Sequence, residues 1–330
     1  MSRILKQTGM VLFYAALIIL SGELVMRVMA AVKPIYSVEM MKYASSHIIK
    51  SPSPNIAHVH RPNASGRLMG VDLTLNSMGH RSRELQHPKL PSEKRIFVLG
   101  SSITMGWGVK PEDVFTADVE NRLNRDWKDS GIAYTVVNAG IANYNTVYEV
   151  ELFKGQVDQV EPDMVVLNYF INDAKADPIA RQTSILKHSF FLAFIYERLA
   201  GLYAGIKGKS LVDDYRELYK DGQTSWERCK QAVLELKAMC ADRKIPLVIL
   251  FMPDTHNLSQ EGPYPAIYDK AVSTFRQMNI ETLNTYPEFY EKYGKDPKQL
   301  WVAIGDPHPN RNGHLILADN LYEYLVRHPI

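Results

Sequence analysis

A run of bulky apolar residues, Ile96 to Leu99, ends abruptly in a stretch of glycines and small hydroxyl-bearing residues between Gly100 and Gly108. The run does not alternate with polar residues, as expected of a central parallel strand buried on both faces. Gly100 permits a sharp turn, and Gly106 and Gly108 let backbone approach a ligand closely. The chain therefore brings Ser101, Ser102 and Thr104 to the carboxyl end of a strand, where open parallel sheets place their ligands. A phosphate-cradling loop is excluded, because five residues separate Gly100 from Gly106 and Trp107 stands where its lysine belongs. The nucleophile-elbow pattern G-x-S-x-G fails as well, since Thr104 occupies its last position.

From Arg95 onward, strand and helix patterns alternate. Strands are expected at 95–99, 134–138, 163–169, 246–252 and 279–283, and helices at 111–126, 146–156, 225–241, 265–277 and 311–327. Such alternation predicts a five-stranded parallel sheet in a flavodoxin-like three-layer α/β/α arrangement with right-handed crossovers. The net charge of +2, with 22% charged residues and no dense basic run, gives no nucleic-acid-binding signature, and no nucleic-acid partner is expected. Cys229 and Cys240 lie on one expected helix, about 16 Å apart at 1.5 Å per residue, too far for a disulfide. They read as small buried apolar residues.

The amino end is membrane-directed. Arg3 and Lys6 precede an almost purely apolar run from Met10 to Leu20, and the apolar character resumes to Val32 around Glu23 and Arg27. Those two charges stand four apart and can neutralise one another on one helix face. A spanning helix needs ~20 residues, so 9–32 suffices as an anchor, with the rest of the chain expected outside the inner membrane on the periplasmic side. The rival is a cleaved signal peptide ending at Val28, Met29 and Ala30, and the charges at Glu23 and Arg27 argue against it. Three parts are expected: an anchor at 1–32, a proline-punctuated stem at 33–94, and a main domain at 95–330. Within the stem, Val71 to Asn76 alternates as a strand and leads into Asn76, Gly79 and Arg81. That segment reads either as a strand and loop packed beside the site or as a surface turn with Gly79 at positive φ. Residues 185–206 carry an apolar stripe of Phe190, Phe191, Phe194, Ile195, Leu199, Leu202 and Ile206. It suits a helix facing its own core, a lid, or a face in contact with the membrane or a membrane partner.

Chemistry-bearing residues recur at the other strand ends. Asn138, Ala139 and Gly140 follow the second strand, Asn172 and Asp173 the third, and Asp254 and His256 the fourth; Asp306, His308, Pro309 and Asn310 precede the last helix. Four of these stretches resemble the sequence blocks of the SGNH (GDSL-type) hydrolases. Gly100 to Gly106 is similar to Gly-Asp-Ser-(Leu/Ile)-(Thr/Ser)-x-Gly, with Ser101 in place of aspartate. Asn138 to Gly140 resembles the second block, and Asn172-Asp173 the Gly-x-Asn-Asp block, with Phe170 in place of glycine. Asp306 to Asn310 resembles the last block, Asp-x-x-His-Pro-Asn, shortened to Asp-x-His.

The resemblance implies that Ser102 is the nucleophile, His308 its base and Asp306 the group that orients the base. It implies that Asn172 and the backbone N–H groups of Gly140 and Ser102 are oxyanion donors. His314, in the first turn of the last helix, is a rival base that is expected to pack or cap instead. Asp254 and His256 repeat the Asp-x-His spacing and are expected at the substrate, as a pocket wall, as a solvated loop or as a metal site with Asp306 and His308. Carboxylates and imidazoles suit zinc, but no other ligand spacing exists, so no metal or cofactor is expected. Trp107 and Tyr144 are candidates for stacking on a sugar ring. The implied activity is a membrane-anchored serine esterase acting on acyl esters such as O-acetyl groups. Its rivals are an O-acyltransferase that serves a polysaccharide beside an integral-membrane acyltransferase, and a non-catalytic glycan-binding or scaffold domain.

Overall fold

The computed structural model describes residues 3–175, 188–206 and 210–330. Its centre is a sheet of five strands: β1 (Glu93–Gly100), β2 (Ala133–Gly140), β3 (Met164–Phe170), β4 (Leu247–Met252) and β5 (Glu281–Asn284). All neighbours pair in parallel, in the order β2-β1-β3-β4-β5. That is the flavodoxin-like order, and each strand falls within a few residues of its expected span. Ile96 to Leu99 are fully buried, because layers of helix cover both faces of the sheet and no polar alternation is tolerated there.

The helices are α1 (Arg3–Val32), α2 (Tyr36–Ser46), α3 (Phe115–Asp126), α4 (Thr146–Val160), α5 (Phe190–Ile206), α6 (Leu211–Leu218), α7 (Thr224–Asp242), α8 (Tyr264–Gln277), α9 (Tyr286–Tyr293) and α10 (Arg311–Arg327). Contacts pair α3 with α10, and α4 with α7. The buried residues of α7, Trp226, Cys229, Ala232, Val233, Leu236 and Cys240, recur three or four apart, as one face of a helix requires. Both cysteines are free and buried.

Several features were not legible in the periodicity, these three among them. α2 follows α1 after a break at Pro34; a strand at Asp306–Pro309 pairs with Trp301–Ala303; and α9 follows β5 directly. Within α1, Lys6–Val32 has a mean hydropathy of 2.0 over its most apolar window and is long enough to be a membrane anchor or a signal sequence. Its Glu23 and Arg27 pair at 2.8 Å, and Glu23 also accepts from the Ser189 hydroxyl and from the Phe191 N–H at the start of α5. A Cβ at Gly22 would stand 2.6 Å from the Phe191 ring, so this glycine is what lets α5 approach α1. The first part of the stripe, Phe190 to Ile195, is half-buried where α5 packs on α1 and α2, while its later members Leu199 and Leu202, with Tyr196 and Tyr203, stay exposed. The beginning of the stripe, residues 185–187, lies outside the described residues.

Candidate active site

β1 ends at Gly100, and one helical turn, Ser102–Met105, follows. The turn is pinned from the neighbouring strands: Asn138 on β2 donates to the Thr104 carbonyl at 2.6 Å, and Asn168 on β3 donates to the Thr104 hydroxyl at 2.9 Å. Arg81 donates to the carbonyls of Met105, Gly106 and Val109. The segment with Gly79 at φ 81° is therefore both a left-handed turn and packing beside the site.

The Ser102 Oγ stands 2.9 Å from the Nε2 of His308. The Nδ1 of His308 stands 2.6 Å from the Oδ1 of Asp306, which also accepts the His308 backbone N–H at 3.2 Å. A carboxylate only accepts, so Nδ1 carries the proton and Nε2 faces Oγ with its lone pair. Burial alone would raise the Asp306 carboxyl, but the hydrogen bonds from the His308 side chain and backbone and from the Trp107 indole offset it, and the carboxyl is held below its ordinary range. In such a line, a proton leaving Oγ can pass to Nε2 while Asp306 stabilises the imidazolium. The Pro309-Asn310 context has a local cause: the Asn310 side chain caps α10 by accepting from the Asn312 N–H, which fixes where the His308 strand ends.

His314 is buried at the start of α10 and its Nδ1 accepts the Phe115 N–H at 3.2 Å. Burial pushes it down to about 3, so it stays neutral and occupied by packing. Trp107 is 2% exposed and donates its indole N–H to the Oδ2 of Asp306 at 3.1 Å. This corrects the expectation that it stacks on a sugar; its ring is sealed in and its N–H holds the carboxylate. Tyr144 lines the pocket but is largely buried, donating to the His58 carbonyl at 2.6 Å. The aromatic wall beside His308 is instead Tyr36 of α2, whose ring stacks on the imidazole at a centroid distance of 6.3 Å. No pattern in the sequence marks Tyr36, because α2 reaches the site only through tertiary packing.

A second correction concerns Gly140. Its N–H is taken by the Asn138 side chain at 3.0 Å, and a Cβ there would lie 2.2 Å from the Met105 nitrogen. Glycine is required at 140 so that β2 can touch the serine turn, not as an anion donor. Asn143, three residues on, lines the pocket at φ 64°, and its N–H has no protein partner among the described residues. Asparagine is one of the few residues that adopt this left-handed conformation readily, which is the signal that could have marked it. Asn172 lines the same pocket from the end of β3.

Ser101, which replaces the usual aspartate, hydrogen-bonds the carboxyl group of Asp173. Asp173 also accepts the Phe170 N–H at 2.8 Å, so a carboxyl from the next strand end supports the turn. Burial raises Asp173 and its neighbour Glu149 far above the ordinary carboxyl range, and each raises the other's cost of ionising. Ser102, Asn143, Asn172, His256 and His308 share one cavity of about 310 Å³.

The model of the GDSL-like Lipase/Acylhydrolase family matches residues 98–316, which takes in the serine turn, Asn172 and the His308 strand. The chain belongs to this family. No curated protein matches it. Among solved structures, TesA is 16% identical over 70% of this chain and 98% of its own, with a TM-score of 0.43. A two-domain esterase active on acetylated mannans is 18% identical over 71% of this chain and 49% of its own, with a TM-score of 0.44. A variant of an acetyl-xylooligosaccharide esterase from Geobacillus is 18% identical over 70% and 93%, with a TM-score of 0.42. As a GDSL-like acylhydrolase, the chain carries the five-stranded parallel sheet of the SGNH fold, and its chemistry is directed at acyl esters.

Proposed function

We propose that this GDSL-like protein is a membrane-anchored, extracytoplasmic serine esterase that works through an acyl-enzyme. The observation that carries the reading is the unbroken line from Ser102 Oγ through His308 to Asp306, at 2.9 and 2.6 Å, opening into a cavity beside Asn172. Ser102 attacks the ester carbonyl as His308 takes its proton, and the carbonyl oxygen becomes an oxyanion. The Asn172 side-chain amide and the backbone N–H groups of Ser102 and Asn143 are its donors. His308 then returns the proton to the departing alcohol, and water resolves the acyl-enzyme by the reverse sequence. A cavity near the lower end of the usual ligand-pocket range suits a short acyl group such as acetyl. Fluorophosphonate treatment of the full chain in detergent is expected to add one phosphonyl group, on Ser102; modification elsewhere, or none, overturns the reading.

The anchor reading rests on α1, of which only 6% of the most apolar window is buried. Sodium carbonate washing of membranes should leave the full-length protein in the pellet, and its release would remove the anchor. A second reading, transfer of the acyl group to an alcohol beside an integral-membrane acyltransferase, is favoured by the exposed apolar residues of α5, a helix that packs on α1.

A further inference from the structure

Asp254 and His256 repeat the bonding of Asp306 and His308 in the same cavity. Asp254 Oδ1 meets the His256 Nδ1 at 2.6 Å and the His256 backbone N–H at 2.7 Å. The second oxygen, Oδ2, accepts the Tyr215 hydroxyl from α6 at 2.6 Å, where Asp306 takes the Trp107 indole. Asp254 is 2% exposed, whereas the His256 side chain is 46% exposed and lines the cavity. The two loops are tied together: Thr255 donates to the Pro307 carbonyl, and the Trp301 indole donates to the Thr255 carbonyl at 3.1 Å.

A solvated loop histidine needs none of this. Burying a carboxylate is costly unless donors satisfy it, and Asp254 has three, one of them from a separate helix. The effect of the arrangement is to fix the imidazole with its Nδ1 proton on the carboxylate and its Nε2 lone pair free; Nε2 has no partner among the described residues. The Ser102 hydroxyl is already matched to His308, so His256 is not its base.

We infer that His256, held by Asp254 and Tyr215, is the binding site for the alcohol side of the ester, and that this alcohol carries a second hydroxyl, as a sugar does. A hydroxyl next to the ester oxygen donates to Nε2 of His256. Placed there, the alcohol leaves in acylation, or enters if it resolves the acyl-enzyme. In that second case the bond from the acyl carbon to Ser102 Oγ breaks and one to the sugar oxygen forms. The sugar proton passes through His308 to Oγ, and His256 gains no proton. The inference rests on the serine esterase reading above.

The test is the ratio of kcat/KM for a methyl mono-O-acetylglucoside to kcat/KM for p-nitrophenyl acetate, whose alcohol has no second hydroxyl. The full chain in detergent is used. In His256→Ala the ratio is expected to fall about tenfold, mainly through KM of the sugar ester, the scale of one lost hydrogen bond. His256→Gln, which keeps an acceptor, is expected to recover part of it. Fluorophosphonate labelling of each variant reports that the Ser102 site is intact. An unchanged ratio in both variants, or a wild type with no preference for the sugar ester over cyclohexyl acetate, overturns the inference. Failure of the serine reading shows separately, as full activity in Ser102→Ala.

Discussion

Ser102→Ala is expected to lower kcat for p-nitrophenyl acetate by ~10⁴ or more and to abolish fluorophosphonate labelling, while leaving the thermal unfolding midpoint nearly unchanged. Nucleophile and base act as one unit, so removal of either costs most of what the whole group contributes. The hydroxyl is a few atoms at the head of a turn that other residues hold. Asn138 and Asn168 bond Thr104, and Arg81 bonds the carbonyls of Met105, Gly106 and Val109. The turn therefore survives its loss. Turnover within tenfold of the wild type would sink the serine mechanism, whatever the fold.

Asp306→Asn carries the next largest effect. The amide is nearly isosteric, yet its nitrogen donates where the carboxylate accepted. An amide N–H aimed at Nδ1 of His308 favours the tautomer with the proton on Nε2, and that atom can no longer take a proton from Ser102 at 2.9 Å. A fall in kcat of ~10³–10⁴ at neutral pH is expected, with KM little changed, because the carboxylate acts through the base and not on the substrate. Trp107 and the His308 backbone also bond Asp306, so a structural defect is the alternative to be excluded. Far-UV circular dichroism and stoichiometric active-site labelling over long incubation separate the two. A kcat within tenfold of the wild type would show that Asp306 does not set the tautomer.

The strand ends were legible in the residues because their signals are local. A short unalternating apolar run followed by glycine or asparagine marks where a buried parallel strand nears its end: β1 stops at Gly100, while β2 and β3 run on past Asn138 and Asn168 to Gly140 and Phe170. Ser102, Asn172, Asp306 and His308 carry chemistry that few other residue types supply, so they stood out as candidates before any coordinates. Cys229 and Cys240 were legible for the same reason, since helical spacing alone determines which face they share. Gly140 misled because a glycine after a strand reads the same whether it offers an N–H or merely makes room. The decision lay in Asn138, which takes that N–H, and in the Met105 backbone pressed against it. Trp107 misled because an aromatic near a motif does not reveal which way its ring points.

What the sequence alone determined is the order of the layers and the set of candidate side chains at the strand ends, both read from patterns a few residues long. The tertiary structure decided which of those groups meet. Ser102 and His308 are 206 positions apart, and Asp254 and Tyr215 are 39. Only the parallel pairing of the sheet brings such ends to one edge, and only packing of α2 and α6 against that edge supplies Tyr36 and Tyr215. Distances of 2.6–2.9 Å depend on side-chain direction as well as on strand order, and direction is settled by neighbours far away in the chain.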